Sequence, residues 1–208
     1  DSVASRGLGD VYKRQVFGED FGILAGDALL NYAYEVMTSA VCAASPENMK
    51  NCAGAAAVIA RKAGIFGMVG GQSLDVLLTD KPVNEKEMEF IFNLKTGALI
   101  EAAFMAGAIL AGAGKECVSQ LEKAGNLVGV AFQIKDDILD VTSTQEVLGK
   151  PVFSDEKNNK TTYVTLYGME KAAADVENMS EKAESIVKSI GDNEFLIELI
   201  NKLISREK

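Results

Sequence analysis

The 208-residue chain has no histidine and no tryptophan, three prolines and three cysteines. Without histidine there is no imidazole general base, no imidazole metal ligand, and no Ser-His-Asp or Cys-His arrangement. Chemistry has to come from carboxylates, lysines and a bound metal. Positive charge is also short, with 21 Lys and Arg against 30 Asp and Glu and a net charge of -9. That argues against a nucleic-acid partner, because no broad basic stripe is present to neutralise a phosphate backbone. Any polyanion it binds must be small and locally held. Cys42, Cys52 and Cys117 show no paired short spacing, which fits reduced core thiols in a cytoplasmic protein better than a disulfide framework or a zinc site. No uninterrupted apolar run reaches the ~18 to 20 residues needed to cross a bilayer, so a soluble protein with no transmembrane segment is expected.

What is present is helical periodicity, and it reads as an all-α chain of long helices with short connections. Residues 1–15 lack periodicity and are set apart as a foreign or artefactual leader, leaving residues 16–208 as one domain. The spacing predicts helices over about 17–44, 46–69, 85–111, 116–142, 163–190 and 194–204. Ser45 and Pro46 mark a stop and restart, and Asn84 is placed to cap the helix that follows it. No run shows the strict alternation of a strand.

Residues 127–141, LVGVAFQIKDDILDV, carry the clearest chemical signal. Leu127, Val130, Ala131, Ile134, Ile138 and Val141 form an apolar stripe, while Gln133, Asp136, Asp137 and Asp140 recur over two turns as a polar one. Like charges four apart repel and aspartate is a mediocre helix former, so a positive partner is expected there. Oxygen-only donors point to a hard cation, and a small set of them to Mg²⁺ completed by water and substrate phosphate. Gln72 and Asp75 lie three apart beside Gly70 and Gly71, and Lys95-Thr96-Gly97 is a polar, flexible step in an otherwise apolar helix. The stretch 143–162 contains Lys150, Lys157 and Lys160 and directly follows the acids, as the cationic half of a metal and phosphate site would.

Taken together, residues 16 to about 205 resemble the C-terminal two-thirds of an isoprenyl diphosphate synthase of the farnesyl/geranylgeranyl type. The resemblance rests on FQIKDDILD at 132–140, supported in order by FGE and LAGDALL at 17–30, GGQSLD at 70–75, KTGAL at 95–99, GKP at 149–151 and DEKNNKTTY at 155–163. It implies an isoprenoid-synthase-like bundle of mostly antiparallel helices around a central cavity. It also implies Mg²⁺-dependent condensation of isopentenyl diphosphate with an allylic diphosphate.

By the same resemblance Asp136, Asp137 and Asp140 bind the metal. Lys95, Lys150 and Lys160 contact the allylic diphosphate, Thr96 and Gln133 line the cavity near the reacting carbons, and Gln72 and Asp75 belong to the substrate-binding set. The family's first aspartate-rich motif has no counterpart in these residues. The expectation is therefore a homodimeric synthase of which this stretch alone is inactive. The alternative from another class is a non-catalytic regulatory subunit of a prenyl synthase.

Overall fold

The structure is a computed structural model, and it describes residues 17–142, 161–191 and 193–206. Every regular element among the described residues is helical, as the periodicity predicts. The chain divides into two compact units, residues 1–53 and 54–208. The first contains α1 (Glu19–Ala43), whose first turn carries Glu19 and Asp20 against the positive end of the helix dipole. It buries none of its residues, and Phe21, Ile23, Leu24, Leu29, Leu30 and Tyr32 are all exposed.

The second unit opens inside α2 (Met49–Ala63) and continues through α3 (Met68–Leu77), α4 (Glu85–Ile91), a π-helical step (Phe92–Gly97) and α5 (Ala98–Leu110). Then come α6 (Lys115–Thr142), α7 (Tyr163–Tyr167), α8 (Met169–Ile190) and α9 (Glu194–Ile204). Asn84 caps α4 as its sequence predicts: its side chain accepts from the Glu87 amide at 3.1 Å, and the Glu87 carboxylate accepts from the Asn84 amide at 2.9 Å. Two predicted helices are in fact broken. The 46–69 pattern ends at Ala63 and restarts at Met68, and the 163–190 pattern breaks at Gly168, whose φ of 83° is open mainly to glycine.

The central helix is α6. Glycine at two positions lets α5 and the π-helical step lie against its backbone. A Cβ on Gly125 would stand 2.8 Å from the Glu101 Cα, and one on Gly129 would stand 2.5 Å from the Gly97 Cα. Four residues forward on α6 thus match four residues back on α5, which makes the two antiparallel, as their four-residue connection requires. α8 covers another flank of α6. Val128, Ala183, Val187 and Ile200 close one core cluster; Phe92, Ala131, Ile134 and Val176 close the other. The predicted apolar stripe is displaced: Val128, Ala131 and Ile134 are buried, whereas Leu127, Val130, Ile138 and Val141 are half-buried. With neighbours on several flanks, α6 buries more than one face.

One further expectation changes. The cysteines are free, but Cys42 is exposed and Cys52 and Cys117 are half-buried, so they are not core residues. By length and average composition alone two stretches, Met49–Leu77 with its break after Ala63 and Glu85–Leu110, could reach across a membrane, and two such helices are weak evidence of a span. An uninterrupted apolar run is a stricter test than an average that tolerates a few charges. Here Lys62 and Glu101 of those stretches meet each other as an ion pair.

Candidate functional site

The π-helical step carries the site. One extra residue per turn widens the helix locally, and the step is pinned on two sides by glycine. On one side Gly71 of α3 comes so close that a Cβ there would stand 2.3 Å from the Lys95 amide nitrogen; on the other, Gly129 meets Gly97. Between these contacts lie Lys95 and Thr96. Lys95 Nζ donates to Asp75 Oδ2 at 2.5 Å, joining the step to α3. Thr96 Oγ1 donates to Gln133 Oε1 at 2.9 Å, joining it to α6, and Gln133 Nε2 donates to Asp137 Oδ1 at 3.5 Å.

The structure therefore brings Asp75, Lys95, Thr96, Gln133 and Asp137 into one polar line across three elements. Gln72 is half-buried and lines a shallow groove of about 530 Å³ with Met68, Val69, Ser73 and Val76. Lys150 and Lys160, like Lys157, lie outside the described residues.

The aspartates meet different partners. Adjacent residues on a helix point about 100° apart, and Asp136 and Asp137 face different partners. Asp137 is buried, and its Oδ2 accepts from the Tyr163 amide at 2.8 Å, which fastens the start of α7 to α6. Asp136 has a side chain 36% exposed, and its Oδ1 accepts from Arg206 at 2.5 Å. Asp140 is buried one turn further on. Among the described residues no group of three or more His, Cys, Asp and Glu side chains is gathered closely enough to hold a metal ion. The donors fit Mg²⁺ in a more limited way. That ion commonly takes one or two carboxylates and completes its shell with phosphate and water, and Asp136 offers a partly exposed carboxylate of this kind.

Sequence periodicity did not disclose a second polar cluster. Glu101 of α5 receives hydrogen bonds from Lys62 of α2 and, at 2.7 Å, from Asn126 of α6. Lys62 also donates to Glu122 at 2.7 Å, and Asn126 also donates to Asn93 at 3.0 Å. Burial alone would lower the Lys62 pKa, but the hydrogen bonds and charges of Glu101 and Glu122 outweigh it and hold the ammonium above its usual value. This brace ties α2, α5 and α6 to the first turn of the π-helical step. Replacing Glu101 with leucine is expected to cost about 2 kcal/mol, less than a fully buried broken pair because Lys62 keeps Glu122. Adding Lys62→Met should recover part of the loss in thermal melts.

Tyr163 anchors the other end. Its hydroxyl donates to Asp175 at 2.7 Å, and Lys171 donates to the same carboxylate oxygen at 2.7 Å. Burial, then the Asp175 hydrogen bond and charge, push the Tyr163 phenol well above its ordinary value. A raised folded-state pKa gives stability that is present below about pH 10, the unfolded tyrosine value, and lost as pH rises toward the folded value. Tyr163→Phe is expected to cost about 1 kcal/mol at neutral pH and to show a shallower decline in stability above about pH 10. Denaturant titrations at pH 7 and above pH 10 measure both effects.

Two cavities border this framework. One of about 500 Å³ is lined by Met88, Phe92, Val130, Tyr163 and Tyr167 among others, and one of about 590 Å³ by Lys62, Glu101, Glu122 and Lys123 among others. Both reach Asn93 and Asn126; among the described residues, none of the site residues expected from sequence lines either one.

A family model described as polyprenyl synthetase matches residues 1–200. The chain is 40% identical over 174 residues to geranylgeranyl pyrophosphate synthase 3, chloroplastic, of Arabidopsis thaliana, covering 82% of this chain and 48% of that protein. It is 38% identical over 167 residues to farnesyl diphosphate synthase of Geobacillus stearothermophilus, covering 78% and 56%. The chain thus spans about half the length of the curated relatives it matches.

Among solved structures, geranylgeranyl pyrophosphate synthetase from Pyrococcus horikoshii Ot3 superposes with a TM-score of 0.79 at 27% identity, over 94% of this chain and 70% of that one. Geranyltransferase from Helicobacter pylori, complexed with magnesium and isoprenyl diphosphate, gives 0.77 at 27% identity, over 92% and 61%.

Proposed function

The chain belongs to the polyprenyl synthetase family, and from that premise we propose that the protein carrying it condenses isopentenyl diphosphate with an allylic diphosphate to make a short-chain isoprenyl diphosphate. The observation that carries this reading is the polar line at the π-helical step. It sets the Lys95 ammonium and the Thr96 hydroxyl on the step beside the Gln133 amide of α6. The structure of a relative that holds magnesium and isoprenyl diphosphate supports it.

In the reaction the C–O bond of the allylic diphosphate breaks. The double bond of isopentenyl diphosphate attacks the allylic carbon, and the new cation loses a proton to the departing diphosphate. No histidine is needed.

Lys95 supplies positive charge to the diphosphate, where it counts most as charge accumulates on the leaving oxygen. Asp75 holds that ammonium in place beforehand. Thr96 and Gln133 present oxygen dipoles to the neighbouring carbons, and the apolar faces of the step and α6 keep water away. Asp136, with Asp140 one turn along, would hold Mg²⁺, which when bound neutralises diphosphate charge. Asp137 orients the stripe by fixing α7. Lys150 and Lys160 are proposed as further diphosphate contacts. The exposed apolar residues of α1 support pairing with a second copy.

The test is a radiolabel assay of the full gene product with isopentenyl diphosphate, each short allylic diphosphate and Mg²⁺. Chain-length analysis of the products then identifies what is made. The 208 residues alone are expected to be inactive. A well-folded full-length protein that elongates none of the substrates would overturn the synthase reading in favour of a regulatory subunit.

A further inference from the structure

The aspartate stripe predicts a positive partner, and the structure supplies one from the chain itself. Arg206 follows the end of α9 and returns to α6 across 70 positions of sequence. Its guanidinium carbon stands 3.5 Å from the centre of the Phe132 ring. One terminal nitrogen, Nη2, donates both to the Phe132 carbonyl at 3.2 Å and to Asp136 Oδ1 at 2.5 Å. Phe132 and Asp136 are one helical turn apart, so the planar group spans that turn and contacts ring, carbonyl and carboxylate together.

Three simultaneous contacts hold the side chain in place. The fit is incomplete, because Arg206 Nε is buried without a hydrogen-bond partner. A buried N–H left unsatisfied carries a desolvation cost. The contact is therefore held strongly at one end of the guanidinium and poorly at the other, as suits a group that must also leave.

We propose that Arg206 is an internal counter-ion for Asp136, a latch that occupies the cation position in the free protein and withdraws when a divalent cation binds. This rests on the reading of Asp136 as a cation ligand. Because Arg206 and the metal ion contend for one carboxylate, the latch lowers apparent metal affinity by the fraction of molecules in which it is closed. A partly exposed, charge-assisted pair of this kind is worth about a fivefold effect.

Mn²⁺ binding, followed by the electron paramagnetic resonance of the free ion in the absence of diphosphate, tests it on the full-length protein. Thermal melts check that each variant is folded. Arg206→Gln is expected to bind Mn²⁺ about fivefold more tightly than wild type. Arg206→Lys, which keeps the charge but cannot lie flat across ring, carbonyl and carboxylate, should fall between them. Asp136→Asn should weaken binding, and the double variant should match Asp136→Asn.

If Arg206→Gln binds Mn²⁺ no more tightly than wild type while Asp136→Asn weakens binding, the latch is wrong and the cation-ligand reading survives. Wild-type affinity in Asp136→Asn overturns that reading and the latch with it. Failure of wild type and Arg206→Gln alike to bind Mn²⁺ also counts against the latch.

Discussion

Gly129→Ala is expected to lower the stability of the folded chain by about 3 kcal/mol. At 2–4 °C per kcal/mol for a chain of this size, that is a fall of roughly 6–12 °C in thermal midpoint. The new Cβ would meet the Gly97 Cα at 2.5 Å and the Gly97 nitrogen at 3.2 Å, and both are backbone atoms. No rotamer change relieves such a clash, so α6 and the π-helical step have to move apart. That movement pulls on the Thr96–Gln133 hydrogen bond at 2.9 Å, so a stability loss here should be accompanied by damage to the site. Gly107, inside α5, is the control. A Cβ there meets nothing within 4 Å, and Gly107→Ala should be neutral or stabilise by up to about 1 kcal/mol through helix propensity. Equal destabilisation by the two substitutions would show that close packing of α6 on the step is not what Gly129 provides.

Lys95→Ala is expected to lower kcat of the full-length protein on the order of 100- to 1,000-fold, the loss typical of removing one preorganised stabiliser of developing negative charge. Its kcat/KM for the allylic diphosphate should fall at least as far, because the charge is worth more in the transition state than in the bound substrate. The effect on folding should be much smaller, since Lys95 is partly exposed and tied to a single carboxylate. Lys95→Arg keeps the charge with a different shape and should retain part of the activity. Asp75→Asn leaves the ammonium in place but loosens it, and a milder loss is expected. Steady-state kinetics alongside thermal melts separate the outcomes. A rate within about threefold of wild type, with a lowered midpoint, would make Lys95 a structural residue.

Long helices were legible because periodicity is a property of a segment by itself. Residues 116–142 were read as a helix and form α6 over Lys115–Thr142, and the cap at Asn84 was recognisable from its place at the end of a loop. The polar step at Lys95-Thr96-Gly97 stood out in composition, but spacing of three and four could not show that the turn there holds an extra residue. The break at Gly168 was missed for a related reason. One glycine is compatible with a continuing helix, and only its positive φ ends it.

Partners were the least legible. Asp136 signalled a need for positive charge without naming Arg206, and nothing near Lys62 in sequence points to Glu101 or Glu122. Such pairs depend on which helix faces are brought together. Asp137 was grouped with Asp136 because both follow Gln133 at helical offsets of three and four, yet adjacent residues on a helix point about 100° apart and meet different partners.

The π-helical step sets the angular phase of everything that follows it. A single residue advances a helix by about 100°, so residues 98–110 stand where they do because one more residue is wound in between Phe92 and Gly97 than an α-helix would hold. Removing one residue there, with no side chain of the brace altered, would turn Glu101 away from Lys62 and Asn126 and swing the small residues of α5 off the glycines of α6. Length at this point therefore carries as much information as identity: an aligned homologue with a gap between these positions presents a different face of α5 to its neighbours, even when every remaining residue is the same.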